Sequence, residues 1–139
     1  MILVLLLLQL YRPTKNTTEQ VAEKGISAQN EVPENILTML KNSCYDCHSN
    51  NTNYLWYHKI APVSWVVGRH IKEGKEHLNF DEWSDYNTDQ KKHIISDLKE
   101  SIETREMPLV GYLRLHPEAV LSETDNQLLL DWIHSLEIE

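Results

Sequence analysis

Five consecutive residues, Cys44-Tyr45-Asp46-Cys47-His48, constrain this chain more than anything else in it. They form a C-x-x-C-H motif, the spacing of covalent haem attachment. The chemistry sets the spacing. Two thiols add to the two vinyl groups on one edge of a haem to give thioethers, and the histidine that follows then lies under the iron as its proximal ligand. Cys44 and Cys47 are the only cysteines in the 139 residues, so the motif consumes every thiol. Three other chemistries pair cysteines this closely. A thioredoxin-like redox pair sits after a strand, at a helix start in a βαβ unit, whereas this motif follows a helical segment and strand patterns are scarce. A zinc site needs further ligands at a recognisable spacing, which the seven histidines do not supply. A plain structural disulfide is the remaining reading.

The length suits one domain with an N-terminal appendage, to whose core a haem would add a large apolar body. Twenty-one acidic against 13 basic residues give a net charge of −8. That balance argues against nucleic acid, which calls for a basic patch. It is compatible with a basic docking partner or with solubility alone. Residues 1–11 are strongly apolar, but a bilayer span needs about 20 residues. They lack a basic leader and a small-residue cleavage site. The expectation is the remnant of an N-terminal membrane anchor; the alternative is a short arm buried against the domain or a partner. Residues 12–32, rich in Asn, Thr, Glu, Gln and Lys, read as a polar linker. Residues 33–139 form the expected haem-binding domain.

The periodicity within that domain is helical. Pro33 opens a helix with Ile36, Leu37 and Leu40 on one face, running into the motif. Residues 49–59 read as loop. Pro62 starts a second helix with Val63, Val66, Val67, His70 and Ile71 inward, weakened by Gly68 and Gly74, the latter a candidate end. Residues 77–87 read as loop. A third helix over Thr88–Thr104 carries Ile94, Ile95, Leu98 and Ile102 and stops before Met107-Pro108. A fourth starts at Ser122, with Asp125 three residues on, and buries Leu129, Trp132, Ile133 and Leu136. The sum is an all-α domain of four or five helices.

With a helix before Cys44, Met107-Pro108 in a loop and a final Leu-x-x-Trp-Ile helix, the layout resembles a monohaem class I cytochrome c. More closely, the chain resembles the bacterial haem-binding domain family of small membrane-anchored c-type cytochromes. The stretches that carry this resemblance are CYDCHSNNT, WYHKIAPVSW, HIKEGKEHLNF, EMPL and HPEAVLS, distributed between residues 33 and 136. The resemblance implies a cytochrome c-like fold of four to five helices around one covalently bound haem c. It also implies a C-terminal helix packed across the motif helix and a loop methionine on the far side of the iron. A proline carbonyl holding the proximal histidine is a further implication, for which Pro62 is the candidate.

His48 is the expected proximal iron ligand. Met107, 59 residues later, sits between a helix end and a proline-fixed turn and is the expected sixth ligand; a thioether there raises the potential. Met39 reads as packing. The rivals are His58, His70, His77, His93, His116 and His134, with His116 the strongest. Tyr54, Trp56, Trp65, Leu109, Tyr112, Leu113 and Trp132 are candidate pocket walls, and Trp65, Arg69 and Tyr112 candidate donors to the propionates. The charged cluster of Glu73, Lys75, Glu76 and His77 reads as a solvated helix end. The expected function is electron transfer, not enzyme catalysis, with redox proteins such as respiratory complexes as partners. The domain would be tethered on the periplasmic side of the cytoplasmic membrane by its N-terminal anchor. The alternatives are a haem enzyme or gas or redox sensor with an open or bis-His sixth position, and a thiol-disulfide oxidoreductase using Cys44 and Cys47.

Overall fold

The computed structural model describes residues 2–19 and 22–136. Met1 of the expected anchor, Gln20 and Val21 of the expected linker, and residues 137–139 lie outside the described residues. The architecture is all-helical, with no strand among the described residues. Eight α-helices follow in chain order: α1 (Ile2–Leu8), α2 (Ile26–Gln29), α3 (Glu34–Ser43), α4 (Tyr45–His48), α5 (Val63–His77), α6 (Thr88–Glu103), α7 (Val110–Leu113) and α8 (Glu123–Leu136). Short 3-10 turns occupy Trp56–Lys59, Phe80–Asp85 and Pro117–Ala119.

The four helices expected from periodicity are α3, α5, α6 and α8. Pro33 stands at the N-cap of α3, where its missing N–H costs nothing. Asn87 caps α6 in a reciprocal pair with Gln90: each backbone N–H donates to the other's side chain at 2.9 Å. Ser122 and Asp125 make the corresponding exchange ahead of α8, at 2.9 and 3.1 Å. One core joins these elements. Ile36 and Leu40 of α3 meet Ile94, Ile95 and Ile102 of α6 and Leu129, Trp132 and Ile133 of α8. Each such side chain contributes roughly 2 kcal/mol by leaving water. Phe80 and Trp83, in the segment expected as loop, complete the core from the 3-10 turn.

Three expectations change. Gly74 does not end α5; the helix continues to His77, and the Leu78 N–H closes it on the Gly74 carbonyl at 2.9 Å. The expected inner stripe of α5 is only partly inward: Ile71 is buried, whereas Val63 and Val66 are exposed. The linker is no free tether where it is described. Asn16 is the reason: its side-chain amide donates to the Ser49 carbonyl and to Thr52 Oγ1, and its carboxamide oxygen accepts from Lys75 Nζ. Ile26 then enters the core fully buried. Helix α1 buries none of its residues, which leaves the alternative of an arm buried against the domain without support. No described helix is long and apolar enough to cross a membrane.

Candidate functional site

The haem motif begins where α3 ends. Cys44 closes α3 through its N–H on the Leu40 carbonyl, and the single turn of α4 carries Asp46, Cys47 and His48. One cavity of about 600 Å³ opens beside it and takes in Cys44, Cys47, His48, Met107, Leu109 and Tyr112. Leu40, Phe80, Ile94, Ile102, Leu129 and Ile133 make its floor apolar. The size and lining are those of a cofactor pocket.

Helix α5 packs on the motif at closest range. A Cβ at Gly74 would stand 2.9 Å from the Cys47 carbonyl oxygen, so glycine is what lets the two backbones approach. The same helix end then holds the histidine, because His48 Nδ1 lies 3.0 Å from the Leu78 carbonyl oxygen. With Nδ1–H donating there, Nε2 keeps its lone pair for a metal. Burial lowers the His48 pKa, which favours the same neutral form. The carbonyl that serves His48 is therefore Leu78, not Pro62; Pro62 only starts α5. Leu78 is kept in place through its neighbour. Asn79 donates its backbone N–H to Tyr86 Oη at 2.8 Å and its side-chain amide to Asn50 Oδ1 at 2.9 Å.

Both thiols are free and half-buried. Desolvation first, then mutual repulsion, pushes Cys44 up to about 12. Desolvation, then Asp46, pushes Cys47 up to about 11. A disulfide oxidoreductase needs the opposite, a depressed thiol pKa. Among the described residues no group of three or more His, Cys, Asp or Glu is arranged to hold a metal ion directly.

Met107 reaches the cavity because α6 stops sharply. Arg105 takes a left-handed conformation, φ 58°, that turns the chain. Its N–H returns to the Ile102 carbonyl, and the Met107 N–H donates to the Ser101 carbonyl, both at 3.2 Å. The thioether thus belongs to a segment tied to α6, on the cavity that His48 also lines.

The remaining candidates divide. Tyr112 lines the cavity, and its hydroxyl donates toward Asp46 Oδ2 at 3.0 Å and the Asn42 carbonyl at 3.1 Å. Desolvation, then the Asp46 charge, raises its pKa, so the phenol stays protonated. Trp65 and Arg69 are not brought to the cavity. They lie with Tyr11 and Pro13 in a second depression. Tyr54, Trp56, Leu113 and Trp132 are likewise absent from the cavity wall. Among the histidines, His70 and His77 line the cavity. His116 does not; it is buried with Nε2 against the Tyr57 hydroxyl and Nδ1 3.0 Å from Glu118. Both ring nitrogens are engaged, which withdraws the strongest rival ligand. His58 stacks beside it and accepts from the Leu55 N–H.

Three functional residues were not legible from the motif alone. Asp46 accepts from the Asn53 N–H at 2.8 Å and from Tyr112, while its carbonyl accepts from Thr52 Oγ1 at 2.6 Å. It fastens the turn of α4 to the following chain and to α7. Gly74 and Leu78 act through backbone atoms, for which side-chain type gives no signal beyond glycine itself.

Two neighbouring thiols, a neutral histidine and a thioether thus share an apolar cavity of cofactor size, a donor set that fits haem. No curated protein and no solved structure matches this chain. The model of the haem-binding domain matches residues 3–135, and the chain belongs to the haem-binding domain family.

Proposed function

We propose that the protein is a monohaem c-type cytochrome that transfers electrons with His48 and Met107 as iron ligands. The observation that supports this most is the shared cavity: Cys44, Cys47, His48 and Met107 all line it. Bound haem supplies a one-electron ferric/ferrous couple. In this reading, Cys44 Sγ and Cys47 Sγ would hold the haem through thioethers, each S–H adding across one vinyl C=C with no leaving group. Their high pKa values keep both thiols protonated and resistant to stray oxidation until that reaction. His48 Nε2 would bind the iron while the Leu78 carbonyl fixes the ring, and Met107 would supply a thioether as second ligand; an iron with both ligands filled would suit electron transfer rather than substrate chemistry. The apolar floor holds the cofactor dry and limits reorganisation between oxidation states.

Helix α1 serves in this reading as part of an N-terminal membrane anchor, placing the domain on the periplasmic side of the cytoplasmic membrane. Tethering there raises its effective concentration for redox partners such as respiratory complexes. The testing measurement is a pyridine haemochrome spectrum, after acid–organic extraction, of protein matured where haem ligation operates. Haem should stay with the chain and give the spectrum of two thioethers; extraction of the haem sinks the c-type assignment. A second reading is favoured by His70 and His77, which line the same cavity: a bis-His centre, or one open to ligands, acting as a sensor or enzyme. Rapid carbon monoxide binding by the native ferrous protein would support an open or labile sixth site.

A further inference from the structure

We infer that the domain does not hang freely from its anchor but docks on the lipid surface through a built face around α1, made of Trp56, Ile60, Val63 and Val66. The inference rests on the anchor reading of α1 and extends it to the folded domain.

The first observation is a fixed joint. Gln9, one residue past α1, donates Nε2–H to the Ala61 carbonyl at 3.1 Å and accepts from the Ala61 N–H at 3.0 Å. Trp65 donates its indole N–H to the Tyr11 carbonyl at 3.0 Å, and the two rings meet edge to face. Pro13 then lies on Gly68, where a Cβ would stand 3.1 Å away. The apolar helix is therefore attached by several contacts to the first turns of α5.

The second observation is what surrounds the joint. Trp56 is 72 % exposed, Val66 52 %, Ile60 46 % and Val63 41 %. Ile60 and Val63 flank the Ala61-Pro62 pair that Gln9 grips, and Val63 and Val66 share a helix face at i, i+3. Leu10 and Tyr11 are exposed beside them. Together with α1 these are more exposed large apolar side chains, on neighbouring elements, than a protein ordinarily leaves to water.

The third observation selects the occupant. The chain carries 21 acidic residues, yet residues 1–18 and 47–72 contain none. These two segments, which the joint brings together, hold Arg12, Lys15, Lys59, Arg69 and Lys72. Lys72 is close to Glu76, and Glu73 and Glu76 mark the far edge of the second depression. An exposed tryptophan, aliphatic side chains and two acid-free segments that carry five cations, in an otherwise acidic protein, match the interface of a bilayer with anionic headgroups. Helix α5 then links the docking face to the motif: Val63 and Gly74, which lies against Cys47, are about 16 Å apart along the axis at 1.5 Å per residue. The docking face sets the height and tilt of the haem cavity.

The test uses the full chain loaded with haem, floated with vesicles of phosphatidylcholine or of equimolar phosphatidylcholine and phosphatidylglycerol. The variant carries Trp56→Ser, Ile60→Ser, Val63→Ser and Val66→Ser with α1 intact. A native visible spectrum and thermal midpoint establish that it is folded. The partition coefficient on anionic vesicles should drop on the order of tenfold or more. The charge variant Lys59→Gln, Arg69→Gln, Lys72→Gln should lose binding on the anionic vesicles only. Equal flotation of wild type and the serine variant overturns the docking face and leaves the anchor standing. Failure of wild type to float on either vesicle overturns both. A lipid-free wild-type dimer that the serine variant abolishes, with flotation unchanged, assigns the face to a second copy of the chain and overturns the inference.

Discussion

The carbonyl oxygen of Leu78 stands 3.0 Å from Nδ1 of His48, and the Leu78 N–H closes helix α5 at Gly74. One residue thus terminates the helix and orients the His48 ring, the proposed iron ligand. The arrangement depends on how closely α5 can approach Cys47, and a Cβ at Gly74 would stand 2.9 Å from backbone there. Gly74→Ala should therefore destabilise the holoprotein by about 1–3 kcal/mol, despite the better helix propensity of alanine. Gly111, in α7, has nothing within 4 Å of an added Cβ, so Gly111→Ala should be neutral or stabilise by up to about 1 kcal/mol. Urea midpoints of the two variants check the contrast; equal effects would remove the close-approach argument.

Met107 lines the cavity with a backbone N–H fixed on Ser101. Replacing it tests the ligand rather than the fold, since its side chain is 37 % exposed. Met107→Ala should abolish the red-region charge-transfer band of the ferric protein and lower the midpoint potential. It should also open the iron to carbon monoxide in the ferrous state. Met107→His should restore a six-coordinate spectrum at lower potential. A band unchanged in Met107→Ala points the search to His70 and His77.

Most of the fold was legible because the four long helices each carry an apolar stripe at 3.6-residue spacing and a start signal, at Pro33, Pro62, Asn87 and Ser122. Where the stripe misled, the reason is a second apolar environment. Val63 and Val66 satisfy the helical period, but they face away from the core at the joint with α1. The motif residues were legible because their chemistry is local. Asp46, Leu78 and Asn79 were not, because each works through a contact 6 to 66 residues away in sequence. His116 was legible as a histidine near Met107, but only the fold shows both its nitrogens taken, by Tyr57 and Glu118.

Burial of His58 lowers its pKa below the ordinary 6.5, with Asp46 opposing and His116 adding to the effect. The geometry agrees: Nδ1 accepts the Leu55 N–H and must stay unprotonated to do so. The rings of Tyr54, Tyr57 and His116 face it. The unfolded chain then takes up the proton first, so stability is level above about pH 6.5 and falls as the pH drops below it. Burial shifts an unligated His48 in the same direction, and the proposed iron ligation would remove that contribution. Denaturation of holoprotein between pH 8 and pH 5 should show this loss, and His58→Gln should flatten it. An equally steep profile in the variant would transfer the effect to other groups.

The cavity wall includes Glu73, Asp97, Glu100 and Glu106, and among the described residues no Lys or Arg lines it. Negative charge around a haem favours the ferric over the ferrous state, because reduction adds an electron to a site already held at negative potential. Carboxylates that line the cavity, partly screened by water, should each lower the midpoint by on the order of tens of millivolts. Glu100→Gln and Glu106→Gln should therefore raise the potential, with the double variant close to the sum if the two act independently. Raising the salt should shrink the difference from wild type, as it does for exposed charges. Spectroelectrochemical titration at low and high ionic strength reads both effects. A potential that ignores both substitutions would mean that these side chains turn to solvent in the loaded protein, leaving ligation by His48 and Met107 to set the value.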